Sequence, residues 1–172
     1  MSATAGLVLR IATRSDLPAL HRVIESAYRG DSAKQGWTHE ADILFDTRTD
    51  IATLDAVVAD PCSRLILAEQ DGMPIGCVQI SDRGEGTAYL GLLCIQPALQ
   101  ACGLGKHLIA EAEAQSRAIF GATHMTMSVI EQRVELIAYY QRRGYAPTGR
   151  RLDFPVPLDP PLYMTELAKA LA

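Results

Sequence analysis

The residues whose types and spacing suggest chemistry lie in residues 100–106, which read Gln-Ala-Cys-Gly-Leu-Gly-Lys. An apolar segment precedes this stretch, and the apolar residues after it recur at helical spacing, so it joins a buried strand to an amphipathic helix. Gly103 and Gly105 therefore fall where the first backbone N–H groups of a helix have no partner within the helix. Glycine lets a ligand approach those amides, and the helix dipole favours negative charge, so the pattern indicates an anion site, most naturally for phosphate. A tight turn whose glycines serve geometry alone is the other interpretation.

Two common phosphate-binding motifs are excluded by the residues present. A dinucleotide-binding fingerprint requires a third glycine three residues after the second, and that position is Leu108. A Walker loop requires Gly-Lys followed by Ser or Thr, but His107 follows Lys106. It also requires an earlier glycine at the position occupied by Gln100. The loop is therefore neither a mononucleotide nor a dinucleotide motif of these kinds.

The loop instead resembles the acyl-CoA-binding loop of the GCN5-related N-acetyltransferase (GNAT) family. The family pattern, Gln/Arg-x-x-Gly-x-Gly/Ala, is matched by Gln100, Gly103 and Gly105. It usually follows a strand that ends in an apolar residue, one further residue and a proline, as Ile95 and Pro97 do here.

A second element of the family lies downstream, at residues 136–145. It resembles the family's short helix, which carries a tyrosine four residues before a glycine–aromatic pair, here Tyr140, Gly144 and Tyr145. The two motifs occur in the family's order, and the resemblance extends over residues 7–171. One departure is Arg133, which stands where many relatives carry asparagine. Its side chain is expected either to bind a cofactor phosphate or to be solvated.

The resemblance implies one GNAT domain over residues 1–172, of the α/β (α+β) class. Its fold is a mixed, mostly antiparallel central sheet of about seven strands flanked by about four helices. The pattern of hydropathy and turn residues agrees with this number of strands and helices. Helices are predicted from Leu17 to Ala27, over residues 40–45 and 51–59, directly after the loop, and around Tyr140, with residues 30–38 as a loop. Strands are predicted over residues 7–12, 64–70, 74–81, 87–95, 123–129, 145–149 and 162–167.

Composition narrows the class of protein further. Of the 172 residues, 48% are apolar and 21% are charged, which is typical of a soluble globular protein. The net charge of −4 argues against a general nucleic-acid-binding protein. The sequence shows no signal-peptide pattern and no apolar run long enough to cross a membrane, so a cytoplasmic location is expected. The expected oligomeric state is a monomer or a homodimer.

The cysteines and histidines lack metal-ligand spacing, so no metal is expected. Without an export signal the four cysteines are expected to be reduced thiols. Cys77 and Cys94 lie in apolar runs and are predicted to be core residues. Cys102 lies in the loop, and its role stays open.

The resemblance implies transfer of an acetyl group from acetyl-CoA to a primary amine by direct attack in a ternary complex. The acceptor is a small molecule or a peptide N-terminus, and the sequence does not identify it. The alternative is a non-catalytic acyl-CoA-binding or sensing module. By the same resemblance Tyr140 is the catalytic residue, because it would donate a proton to the leaving thiolate or hydrogen-bond to the sulfur. A half-buried aromatic on an amphipathic helix is the other interpretation. Tyr139, about 100° away around the helix, is expected to face elsewhere.

By resemblance, the cofactor lies between the strand that ends at Ile95 and the strand 123–129. Its pantetheine arm would pair with the backbone of residues 93–95, its diphosphate would bind the amides of residues 101–106, and amides near Cys94 and Ile95 would stabilise the oxyanion. The predicted cofactor-binding residues are Leu93, Cys94, Ile95, Gln100, Ala101, Cys102, Gly103, Leu104, Gly105 and Lys106.

The acceptor side is predicted in the variable region after the first helix. Trp37 would provide an aromatic platform, although it could equally plug the edge of the core, and His39 or Glu40 would steer the amine. The general base is not identified: His39, Glu40, Glu85, Glu131 and a water relay all remain open.

Overall fold

The computed structural model describes residues 5–34, 36, 40–41, 44 and 48–172. The candidates Trp37 and His39, and much of the predicted helix 40–45, lie outside these residues. The helices are α1 (Leu17–Tyr28), α2 (Gly30–Ala33), α3 (Ile51–Ala59), α4 (Leu104–Phe120) and α5 (Val134–Gln141). The strands are β1 (Leu7–Ile11), β2 (Ser63–Gln70), β3 (Met73–Asp82), β4 (Thr87–Ile95), β5 (His124–Ile130), β6 (Ala146–Asp153) and β7 (Tyr163–Ala170).

The seven strands form one mixed sheet in the order β1-β2-β3-β4-β5-β7-β6. All neighbouring pairs are antiparallel except β4 and β5, which are parallel. The β2–β3 hairpin turns through Asp71 and Gly72, both with positive φ (51° and 77°), as an Asp-Gly turn requires. The predicted sheet of about seven strands, mostly antiparallel, is confirmed.

Two packed layers cover the faces of the sheet. Alternate residues of a strand point to opposite faces, so Leu65 and Leu67 of β2 pack with α1 and α3, while Ile66 packs with α4. Helix α4 turns its apolar stripe, including Leu108, inward. The four longer helices, α1, α3, α4 and α5, are ones that the sequence predicts. Among the described residues, no helix is long and apolar enough to cross a lipid bilayer.

Several element boundaries differ from the predictions. A single helical turn, α2, occupies part of the segment predicted as a loop. Strand β6 continues to Asp153 because it pairs with β7, and β7 continues to Ala170 because its last residues pair with β5. Long-range pairing thus extends both strands beyond what local propensity indicates.

The parallel pair β4–β5 opens into a gap. Residues pair only from Thr87↔His124 to Tyr89↔Thr126, and no register pair follows. A bulge adds one residue to β4 opposite β3, where Leu92 has φ of 50°, a left-handed value that is costly for leucine. The diverging strand ends leave one backbone edge of the last β4 residues facing the gap, while the other edge pairs with β3.

Candidate functional site

The loop between β4 and α4 has an anion-binding geometry. Ala101 and Gly103 both adopt left-handed conformations, with φ of 63° and 86°. Gly103 is the N-cap of α4, which begins at Leu104, so the amides of residues 104–106 have no acceptor within the helix. Left-handed residues beside a helix N-terminus make a concave set of N–H groups that suits a phosphate.

Two further contacts fix the position of this loop. The Gln100 side-chain amide donates to the Ile95 carbonyl at 3.2 Å, which ties the loop to the end of β4. A Cβ on Gly105 would lie 2.6 Å from the hydroxyl oxygen of Tyr139, so a side chain at this position would require the Tyr139 ring to shift. Tyr139 therefore lines a first cavity together with Tyr140, but its hydroxyl reaches the first turn of α4, whereas Tyr140 also lines a second cavity.

A first cavity of about 360 Å³ runs from this loop along the end of β4. The described residues that line this cavity include no carboxylate. Their formally charged side chains are all cationic, namely Lys106, Arg133, Arg142 and Arg143. The Arg143 guanidinium stacks 4.6 Å from the centroid of the Tyr139 ring. Much of the remaining wall is apolar, so the cavity suits a ligand that combines an apolar arm with several phosphates.

A second cavity of about 500 Å³ lies between the ends of β4 and β5, beside α1 and α3. The two cavities share a wall formed by Tyr28, Leu93, Arg133, Leu136 and Tyr140. The Tyr28 hydroxyl donates to the Leu93 carbonyl, which links the end of α1 to the bulged part of β4. A group held in the first cavity can therefore meet one held in the second at this shared wall.

Tyr140 lies at the junction with its phenol largely removed from water. Only 5% of the residue is exposed, and its ring makes edge-to-face contacts with Tyr139 and Tyr145, at centroid distances of 5.6 and 6.1 Å. Burial raises the pKa of Tyr140 well above its ordinary value. The hydroxyl is therefore protonated at neutral pH and can donate a proton or a hydrogen bond.

The floor of the second cavity contains a buried ion-pair cluster. The Glu40 carboxylate pairs with Arg29 and, at 2.9 Å, with Arg133. Glu40 is 8% exposed and Arg133 is 5% exposed. The sequence alternatives for Arg133 were a cofactor phosphate or solvent, but its main described contact is instead this carboxylate.

Substituting Glu40 with glutamine should destabilise the fold by about 3 kcal/mol, because two buried guanidinium groups would lose their shared counter-charge. The midpoint of urea unfolding measures this loss. Glu131→Gln is the matched control, because Glu131 pairs with Arg151 at the surface and its loss should change the midpoint little. Equal shifts for the two variants would show that the Glu40 cluster adds no special stability.

The sequence matches the model of the acetyltransferase (GNAT) family over residues 18–145, well over half of the chain. The chain belongs to the GNAT family. The loop at Gly103, the gap beside β4 and the tyrosine on α5 thus lie in a GNAT fold. No curated protein matches the sequence.

Solved GNAT structures share this fold at low identity. A spermidine N-acetyltransferase chimera from Vibrio cholerae SpeG and hSSAT superposes with a TM-score of 0.73 at 17% identity, covering 96% of each chain. The ribosomal-protein-S18-alanine N-acetyltransferase of Escherichia coli superposes with a TM-score of 0.72 at 14% identity, covering 96% of this chain and 94% of that one. YncA, a putative acetyltransferase from Salmonella typhimurium solved with its cofactor acetyl-CoA, superposes with a TM-score of 0.68 at 19% identity. The match covers 96% of this chain and 94% of that one.

The GNAT fold brings most predicted site residues together. All the predicted cofactor-binding residues line the first cavity except Cys102, which is exposed beside it. Cys77 and Cys94 are buried, as expected for core residues. Glu40 lines the second cavity, but Glu85 and Glu131 line neither cavity. The pKa of Glu131 is lowered by its bond to Arg151, which disfavours it as a base.

Three site residues were not found by sequence reasoning: Tyr28, Arg29 and Arg48. Tyr28 is the last residue of α1, Arg29 is its C-cap, and Arg48 lies within the polar segment 46–50. None of the three belongs to a motif, and a surface position would suit each of them. Only the packing of α1 against the bulge of β4 reveals their location.

Proposed function

We propose that this GNAT protein transfers an acetyl group from acetyl-CoA to a primary amine, on a small molecule or a peptide N-terminus. The observation that carries the proposal is the meeting of the two cavities at Leu93 and Tyr140. One cavity has a phosphate-type loop and only cationic charges among its described walls, whereas the other is large enough for an acceptor. The YncA structure, which contains acetyl-CoA, supports the choice of donor.

The residues present fit acetyl-CoA at three levels. The amides after Gly103 would bind the diphosphate, and Lys106, Arg142 and Arg143 would add positive charge. The backbone of residues 93–95, which has no register partner on β5, would bind the pantetheine amides. When bound, the donor supplies an acetyl group activated as a thioester.

The chemistry assigned to the chain takes place at the shared wall. Amides near Cys94 and Ile95 would stabilise negative charge on the carbonyl oxygen, and the Tyr140 hydroxyl would donate its proton to the departing sulfur. The amine must lose a proton before or during attack. Among the described carboxylates, Glu40 is engaged by two arginines, so a water relay through the second cavity is favoured over direct proton transfer to Glu40.

The proposal is tested by incubating the protein with acetyl-CoA and a panel of amines and peptides. Free CoA thiol is measured, and acetylated products are identified by mass spectrometry. We expect thiol release that depends on both an acceptor and the protein. Tight acetyl-CoA binding without transfer to any acceptor would favour the acyl-CoA-sensing alternative, and the absence of both would overturn the assignment.

Substituting Arg142 with glutamine should weaken acetyl-CoA binding about three- to tenfold and reduce its dependence on salt, because one phosphate-facing charge is lost. Calorimetric titration at two salt concentrations measures both effects. Arg150→Gln is the control, because Arg150 is exposed on β6 and pairs with Glu166 outside the first cavity. Identical affinities and salt slopes for the two variants would show that Arg142 does not face the phosphates.

A further inference from the structure

The second cavity carries an arginine whose position suits an anionic part of the acceptor. The Arg48 guanidinium lies 5.0 Å from the centroid of the Tyr28 ring, and within the described part of the chain it pairs with no carboxylate. The hydroxyl of the same ring donates to the Leu93 carbonyl at the shared wall. The Tyr28 ring thus lies between the Arg48 guanidinium and the wall that the two cavities share.

The backbone around Arg48 is fixed by α1. The Glu25 carboxylate accepts the Arg48 amide at 3.0 Å and the Thr49 amide at 2.8 Å. The Thr49 carbonyl is in turn hydrogen-bonded to the His21 ring at 2.9 Å. Two amides held by one carboxylate set the direction in which the Arg48 side chain leaves the backbone, so its place over Tyr28 is built into the fold.

Among the described residues that line this cavity, three arginines stand beside two carboxylates. Its described charged lining residues are Arg29, Arg48, Arg133, Glu40 and Asp153, and the Glu40 carboxylate is shared by two of the arginines. Such a surface repels a polycation and attracts a carboxylate. It also favours the neutral form of a nearby amine, which is the form that attacks a thioester.

The rest of the cavity wall is largely apolar. Leu54 and Val57 of α3 face it from one side, and Leu152, Phe154 and Val156 face it from the other. An apolar group on the acceptor would be buried there.

We propose that the acceptor is an amine that carries a carboxylate a few bonds from its nitrogen and an apolar side group, as an apolar α-amino acid does. Arg48 binds the carboxylate and sets specificity, while Glu25 positions Arg48. This inference rests on the proposed acetyl transfer and adds the acceptor class to it.

The test compares apolar L-amino acids with their carboxamides, in which a neutral group of similar size replaces the carboxylate, and includes spermidine as a polycation. Each pair is compared at a pH where both amines are largely neutral. We expect kcat/KM at least tenfold higher for the amino acids. In Arg48→Gln, KM for the amino acids should rise about ten- to a hundredfold with kcat nearly unchanged, while the carboxamides are unaffected. Arg117→Gln, at an exposed position near the end of α4, should retain the preference.

Preference for carboxamides or spermidine, or an unchanged KM in Arg48→Gln, would overturn the proposal. If no acceptor is acetylated, the proposed acetyl transfer is refuted, and the Arg48 site is then tested by binding alone. N-acetyl amino acids and their amides are compared as ligands by NMR in the presence of CoA. Carboxylate-selective binding that Arg48→Gln abolishes would still support the site. No binding, or binding that does not distinguish the carboxylates from the amides, would overturn the carboxylate site proposed at Arg48.

Discussion

Substituting Tyr140 with phenylalanine should lower kcat by about a hundredfold while acetyl-CoA affinity stays within about twofold. The reason is that the change removes only the hydroxyl at the junction of the two cavities and keeps the ring that packs on Tyr139 and Tyr145. Steady-state kinetics with a turned-over acceptor and calorimetric titration of acetyl-CoA measure the two quantities. Because burial raises the pKa of Tyr140, the wild-type phenol should remain a proton donor at alkaline assay pH.

Tyr163→Phe is the matched control for this prediction. Tyr163 lies on β7, where its ring contacts the Arg151 guanidinium, and it lines neither cavity. Loss of its hydroxyl should leave kcat unchanged. If Tyr140→Phe retained wild-type kcat, the sulfur would receive its proton from another group, and the catalytic role of Tyr140 would be refuted.

Substituting Gly103 with alanine should weaken acetyl-CoA binding about ten- to a hundredfold, the equivalent of losing one or two hydrogen bonds to a charged group. No heavy atom lies within 4 Å of the added Cβ, so the effect comes from the backbone and not from a clash. Alanine disfavours the φ of 86° at this position, and relaxation would turn the amides away from the diphosphate. Calorimetric titration measures the affinity.

The opposite end of α4 provides the control. Gly121, the C-cap, has φ of 63° and likewise no atom within 4 Å of an added Cβ. Gly121→Ala should therefore cost about as much folding stability as Gly103→Ala, about 1 kcal/mol, without affecting acetyl-CoA affinity. Equal loss of affinity in both variants would mean that stability, and not the loop, controls binding.

The sequence predicted the features that local residue patterns determine. The glycine spacing located the loop and the start of α4, and the turn dipeptide at Asp71 located the β2–β3 hairpin. For the loop and the hairpin, the residues that carry the information are neighbours in the chain. The seven-stranded sheet was implied by the family resemblance that the two motifs carry.

Features that depend on contacts between distant residues could not be predicted. Glu40 and Arg133 are 93 positions apart, and each alone resembles a solvated charge. The bulge at Leu92 requires a left-handed conformation that leucine rarely adopts, so no local signal marks it. The reach of Tyr139 to Gly105 depends on how α5 packs against α4. Tertiary packing decides all three.

A crystal structure of the protein with acetyl-CoA tests the central claim most directly. We expect the diphosphate to lie within hydrogen-bond distance of the amides that follow Gly103, and the thioester sulfur to lie beside the Tyr140 hydroxyl. A diphosphate bound away from this loop, or a sulfur out of reach of Tyr140, would contradict it.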